Sequence, residues 1–319
     1  MFLLIEYQII NITAMLLLKG KILVLSCFMI FCNSVFTQQY TQFSNYLLNS
    51  SNVNPAYTGS KPGLELMATY RRQWRAIEGT PQTYSISGHS LVKNSKIGVG
   101  GLILKDEIGV SDNLYITAST SYSLTLNRFK LNFGLNGGLQ AHKMDFDKIT
   151  TIEEGDEVFS GSSSYRYSPT IGAGLYLFSD DFYIGLSSPD LLESNNKLEQ
   201  GTYRKKRHFY FSVGKVFTIS NNVNLKPSLL GKITSGSELQ LDLSGTIILY
   251  KLVGVGLSYR TQAGMVWYTQ IFINRHWTFA YAFDDMTNNL SGIEGGTHEV
   301  TLIHNFHKKQ ETIYSPRYF

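Results

Sequence analysis

Asn113 to His142, NLYITASTSYSLTLNRFKLNFGLNGGLQAH, is the run whose reading decides the fold. Before the break Asn127-Arg128-Phe129-Lys130, Leu114, Ile116, Ala118, Tyr122, Leu124 and Leu126 share one parity, and Tyr115, Thr117, Ser119, Ser121, Ser123 and Thr125 share the other. After it, Leu131, Phe133, Leu135, Leu139 and Ala141 alternate with Asn132, Asn136, Gln140 and His142. Successive side chains of a strand point to opposite faces, so a period of two predicts an antiparallel hairpin with one apolar and one polar side. The chemistry of the polar side sets the compartment. A soluble sheet shows Lys and Glu to water, whereas this face is Ser, Thr, Asn, Gln and Gly, the neutral lining of a transmembrane barrel's lumen.

Composition points the same way. Charged residues are 16% of the chain and aromatics 13%, with 20 Tyr and 19 Phe, against about 25% charged in soluble domains. Mean hydropathy is nevertheless -0.08. Helical membrane proteins need runs of roughly 20 apolar residues, and beyond the N-terminal leader there is none. Alternation hides a barrel's hydrophobicity, so it spans a bilayer at neutral average hydropathy. The formal charge of +4 gives no argument for nucleic acid.

The one long apolar run is N-terminal. Lys19 and Lys21 precede Ile22 to Phe31, and small or polar residues follow to Thr37, which reads as a secretory signal peptide starting at Met15 and cleaved near Thr37 or Gln38. A lipoprotein site at Cys27, after Val24, Leu25 and Ser26, is the rival, but it sits too close to Lys21 for a normal apolar region. Both cysteines, Cys27 and Cys32, lie in this leader. The mature chain is therefore read as having no thiol, disulfide or Cys-based metal site.

Four regions follow: a leader over 1–37, an irregular periplasmic or plug segment over 38–62, a barrel over 63–308 and a periplasmic tail over 309–319. The barrel holds fourteen candidate strands: Gly63 to Trp74, Gln82 to Val92, Ile97 to Lys105, Asn113 to Asn127, Lys130 to His142, Ser168 to Phe178, Phe182 to Ser188, Lys206 to Ile219, Val223 to Ile233, Glu238 to Tyr250, Leu252 to Gln262, Gly264 to Asn274, His276 to Asp285 and Thr297 to His307. The count is even, as an up-and-down outer-membrane barrel requires. Short breaks near Asn94, Arg128, Asp180, Asn221, Lys251 and Arg275 alternate with longer ones, above all Met144 to Tyr167, Pro189 to Lys205 and Met286 to Gly296. Periplasmic turns are short and outer loops long, so both termini are expected in the periplasm. Two strands break parity: Ile97 to Lys105 is apolar on both faces, and Lys215 shares a face with Phe209, Phe211 and Phe217. A bulge, a membrane-edge position or a face covered by a partner would each account for them.

Charges on the interior parity are Glu65, Arg71, Lys226, Lys232, Asp242 and Arg260. They read either as the lining of a conduit or peptide site, or as ion pairs packing a plugged lumen. The acidic residues of the Met144 to Tyr167 loop match no calcium-loop spacing and read as a solvated loop, as do Asp284, Asp285, Asn288 and Asn289. No GxSxG, HExxH or CxxC occurs, and His298 beside Glu299 has no third group, so no catalytic, cofactor or metal site is read. Gly98, Gly100, Gly101, Gly254 and Gly256 lie inside strand patterns, where glycine marks a bend or a close approach rather than a nucleotide loop. Tyr70, Trp74, Tyr84, Tyr115, Tyr122, Phe209, Trp267, Trp277, Tyr281 and Phe306 suit interfacial girdles, with sugar stacking the weaker alternative.

The stretches Gln42-Phe43-Ser44-Asn45-Tyr46, Asn54-Pro55-Ala56-Tyr57-Thr58-Gly59-Ser60, Tyr70-Arg71-Arg72-Gln73-Trp74 and Thr80-Pro81-Gln82-Thr83-Tyr84-Ser85 resemble the PorP/SprF family of type IX secretion outer-membrane proteins. Gly296-Thr297-His298-Glu299-Val300 and the terminal Ser315-Pro316-Arg317-Tyr318-Phe319 resemble that family's closing pattern. Gln38-Gln39-Tyr40 and Thr58 depart from it. The resemblance implies an outer-membrane barrel of gliding or protein-secreting Bacteroidota, with a secreted surface protein such as an adhesin, through its C-terminal region, and other secretion components as partners. It makes Asn54, Pro55, Tyr57 and Gly59, together with Arg71 and Trp74, candidates for a plug or partner-docking element. The leading expectation is a non-enzymatic barrel, embedded in outer-membrane lipid, that receives, anchors or supports export of such a protein. A passive diffusion pore and a soluble β-sandwich are the alternatives.

Overall fold

The computed structural model describes residues 43–44, 46, 48, 50–74, 79–145, 164–198, 201–261, 263–286 and 295–306, and at 194–198, 201–205 and 286 it describes the backbone alone. The chain divides into a unit at 1–37 and one at 38–319, and every described residue lies in the second.

Period-two stretches become strands throughout. They are β1 Leu64–Arg72, β2 Gln82–Leu91, β3 Ile97–Ile108, β4 Ser111–Leu126, β5 Phe129–Met144, β6 Arg166–Phe178, β7 Phe182–Asp190, β8 Ser194–Leu198, β9 Gly201–Lys205, β10 His208–Lys215, β11 Phe217–Ser220, β12 Val223–Thr234, β13 Gln240–Leu249, β14 Val253–Arg260, β15 Gly264–Phe272, β16 Trp277–Met286 and β17 Thr297–Phe306. Neighbours in sequence pair antiparallel, β7 pairs with β10, and β10 and β11 both pair with β12, forming one path broken at Val216. β17 pairs with β1 from Leu64↔Phe306 to Arg72↔His298, which closes the sheet. The result is an up-and-down barrel of fourteen staves with no free edge, the closure that hydrocarbon demands of a sheet. β8 and β9 stand apart as a hairpin within the break expected at Pro189 to Lys205.

Burial follows parity in the sense opposite to a soluble protein. Ile86, Leu135 and Trp267 are 64%, 59% and 55% exposed, while Thr83, Asn132 and Thr301 are at most 1% exposed. Apolar side chains face outward toward lipid and polar ones inward. Where the turns are tight the backbone turns left-handed: Asn94 and Asn127 take the positive φ that asparagine tolerates, and Tyr250 and Lys251 (φ 52° and 55°) hold the centre of the β13–β14 turn.

Both parity breaks have physical reasons. Leu102 and Leu104 of β3 point into the barrel, Leu104 being 2% exposed, while Lys105 faces out and is paired with Glu107 at 2.5 Å and Asp112 at 3.6 Å. Lys215 is at the last residue of β10, at the short-turn end, over the Phe217 ring at 5.1 Å, a membrane-edge position. Tyr115 is a correction: it lies on the lumen parity, its hydroxyl accepting from Gln140 Nε2 at 2.9 Å, and is no girdle residue. Most of the Met144 to Tyr167 and Met286 to Gly296 loops, and the 309–319 tail, lie outside the described residues.

Candidate functional site

The lumen is not empty. Within the stretch expected to be irregular, Ser50–Val53 makes one turn of helix, α1, and Pro55–Tyr57 a 3-10 turn capped by Asn54, whose Oδ1 accepts from Ala56 N at 2.9 Å. A short amide side chain ahead of proline is a good cap, because proline's missing N–H needs no partner. The segment crosses the barrel lengthwise. Ser44 N donates to Glu299 Oε2 at 2.6 Å near the long-loop end, and Tyr46 OH meets Ser244 Oγ at 2.9 Å. Further along, Asn54 Nδ2 donates to Leu175 O (3.0 Å), Asn132 Nδ2 to Ala56 O (3.0 Å) and Ser121 Oγ to Thr58 O (2.6 Å). Gly59 then reaches the short-turn end, its N–H on His89 Nδ1 at 3.3 Å.

Four inward glycines make the track on which this segment lies. A Cβ on Gly134 would collide with the backbone of Pro55 and Ala56, one on Gly174 or Gly185 with the Asn54 side chain, and one on Gly98 with Thr58. Gly59 itself has φ +70°, and a Cβ there would lie 2.6 Å from Gly98 Cα. Backbone meets backbone here, which glycine alone permits. Tyr57 is 2% exposed and stands edge-on to His89 (5.2 Å) and Tyr176 (5.5 Å). Inward aromatics complete the filling: Tyr46 packs with Tyr210, Val266 and Tyr268, and Tyr57 with Tyr176 and Tyr183. Beside Asn52 and Pro55 a cavity of about 30 Å³ remains, lined by Ser51, Asn136 and Thr170. That is room for a water or two.

The lumen charges form ion pairs around this segment. Arg71 Nη2 lies 3.0 Å from Asp284 Oδ2, and its Nη1 lies 3.3 Å from Glu299 Oε2 and also donates to Ser44 Oγ. Arg260 joins Asp284 (3.2 Å) to Asp242 (2.9 Å). Glu65 is held by Lys61 at 2.8 Å and faces His89 Nε2 at 3.3 Å. Lys226 and Lys232 are also inward and buried. Of the candidates, Asn54, Pro55, Tyr57 and Gly59 therefore form the segment's docked half, and Arg71, Asp242 and Arg260 one network. Trp74 lies past the end of β1 with φ 49°, apart from them.

Several partners escaped the sequence. Asp284 is a correction: read as solvated loop, it is 5% exposed and central to the network. Its parity with Ala280 and Ala282 was the available signal. His298 and Glu299 point to opposite faces, the first bonded to Tyr281 OH at 2.7 Å outside, the second to Arg71 inside. β1 begins and β17 ends at the short-turn end, and the described part of the interior segment begins at the long-loop end, where Ser44 meets Glu299. Among the described residues no group of three or more His, Cys, Asp or Glu is placed to hold a metal.

A profile of the family described as type IX secretion system membrane protein PorP/SprF matches residues 35–304. No curated protein matches the chain. Among solved structures, the outer membrane protein Omp33 of Acinetobacter baumannii is similar at 9% identity and TM-score 0.45, covering 78% of this chain and 100% of that one. The toluene transporter TodX of P. putida is similar at 8% identity and TM-score 0.44, covering 84% of this chain and 95% of that one.

Proposed function

The chain belongs to the PorP/SprF family of type IX secretion system membrane proteins, and from that premise we propose that it receives, anchors or supports export of a secreted cell-surface protein, such as an adhesin. It is an outer-membrane component of that system, so other secretion components are its partners. The observation that carries the reading is the occupied lumen. The polar lining is bonded to the protein's own segment at points from Ser44 on Glu299 to Gly59 on His89, and a duct so filled is suited to holding a partner at its mouth rather than passing solutes. The long-loop end, which carries the β8–β9 hairpin, is the docking face and points out of the cell.

A diffusion pore is the second reading, favoured by the neutral lumen of Ser, Thr and Asn. The docked segment and the packed tyrosines oppose it. The decisive experiment deletes this gene with its neighbours intact and catalogues surface proteins. Loss of one exported surface protein, with small-solute uptake unchanged, is the expected result. An unchanged surface with slowed uptake would favour the pore.

A further inference from the structure

Where the interior segment touches the wall, the wall is hollowed on its other side. Leu175 O accepts from Asn54, and Gly134 and Gly174 put no side chain between sheet and segment, so backbone lies against residues 54–56. On the outward face the same staves enclose a furrow of about 790 Å³. Ile97, Tyr122, Phe133, Leu135, Leu186 and Phe209 stand along it, each between 44% and 59% exposed. Its volume is that of a ligand pocket, about 300–1,000 Å³, and its walls are the lipid-facing side chains of the barrel. A hollow facing hydrocarbon is filled from the bilayer, because left empty it would forfeit the contacts of its lining.

One end of the furrow is marked by charge. Ile97, the first residue of β3, pairs with Tyr122 of β4, and beside it the carbonyl of Lys96 accepts from Ser123 N at 2.8 Å. Lys93 and Lys96 belong to the β2–β3 turn, and Arg128 and Lys130 to the neighbouring β4–β5 turn. All four are exposed, and among the described residues none makes an ion pair. The Arg128 guanidinium stands over the Phe129 ring at 4.8 Å, the posture of a cation at the edge of an apolar wall. The β6–β7 turn, next along the rim, carries Asp180 and Asp181, the latter accepting from Ser179 Oγ at 2.8 Å. An apolar hollow with cations at one end is complementary to an acyl chain with an anionic phosphate head. A second barrel would bring a convex wall to it, and a water-soluble acidic partner would not reach Leu135.

We propose that the furrow binds an acyl chain of an anionic phospholipid from the leaflet that meets the short turns, with its phosphate held by Lys93, Lys96, Arg128 and Lys130. The bound lipid backs, from outside, the staves that grip residues 54–56 from inside. The site is independent of which partner the barrel holds at its long-loop end.

Native mass spectrometry of the purified mature chain tests the site, with phosphatidylglycerol, diacylglycerol, glycerol phosphate and bisphosphorylated lipid A as probes. Wild type is expected to retain phosphatidylglycerol and to release diacylglycerol, which lacks the phosphate, and glycerol phosphate, which lacks the chains. The double variant Lys96→Gln/Arg128→Gln should lower its occupancy about tenfold, the loss of one charge-assisted contact set. Ala173→Trp, which fills the furrow from the outward face, should lower it to a similar extent. Lys251→Gln/Arg275→Gln, on the β13–β14 and β15–β16 turns, and Val255→Trp, outward on β14, should leave it unchanged. Heat-modifiable mobility confirms that each variant is folded, and Ala173→Leu replaces Ala173→Trp if the larger ring blocks folding. Wild-type retention by Lys96→Gln/Arg128→Gln or by the Ala173 variant, an equal loss in the two controls, or retention of diacylglycerol as strong as that of phosphatidylglycerol would overturn the proposal. Preference for lipid A over phosphatidylglycerol would overturn the phospholipid assignment.

Discussion

Arg71 shows how a side chain in this lumen comes to matter. It is 4% exposed and holds Asp284, Glu299 and Ser44 together. Removing one partner of a buried pair leaves uncompensated charge, which costs about 3–5 kcal/mol. Arg71→Met should lower stability by that order in urea unfolding from lipid vesicles. Arg71→Lys should recover only part, because an ammonium cannot grip two carboxylates in a fork. Gly134 makes the complementary test. Gly134→Val would drive a side chain into Pro55 and Ala56, whereas Gly137→Val, whose Cβ would have its nearest neighbour at 3.9 Å, is the matched control. The first should cost about 1–3 kcal/mol, as overpacking does, and expose the 43–59 segment to protease. The second should do neither.

The strand is the element that the sequence discloses best. All fourteen staves coincide with expected runs, because a lipid face and a lumen face impose opposite chemistries on alternate residues and leave parity in plain view. Leu135, near the middle of β5 and 59% exposed, makes this quantitative. Leu135→Arg should cost about 2–4 kcal/mol, the depth-dependent penalty at the midplane, in the same unfolding assay. A loss below 1 kcal/mol would mean that the outward face is not in hydrocarbon. What parity could not disclose is which staves meet the interior segment. The segment has no period, and its grip uses carbonyls such as Leu175 O and bare glycine backbone at Gly134 and Gly98, which carry no side-chain signal. The ion pairs were half legible. Arg71, Asp242 and Arg260 stood on the inner parity, but their joining through Asp284 depends on a register between β1, β16 and β14 that only the closed sheet supplies.

At the scale of the whole molecule, one end carries the short turns and the other the long loops, with the interior segment running between them. Orientation is read by thiol labelling, since the sole cysteines, Cys27 and Cys32, belong to the expected leader. In intact cells an impermeant maleimide should modify Ser235→Cys, at the β12–β13 connection, and spare Lys93→Cys, at the β2–β3 turn. The reverse pattern would invert the barrel and place the proposed docking face in the periplasm. The most direct measurement of the central claim, that the lumen is held shut by the chain's own residues, is single-channel recording of the mature protein in planar bilayers. The unmodified protein should give no stable open level and Gly134→Val should give one, whereas a steady open conductance from the unmodified protein would contradict the account.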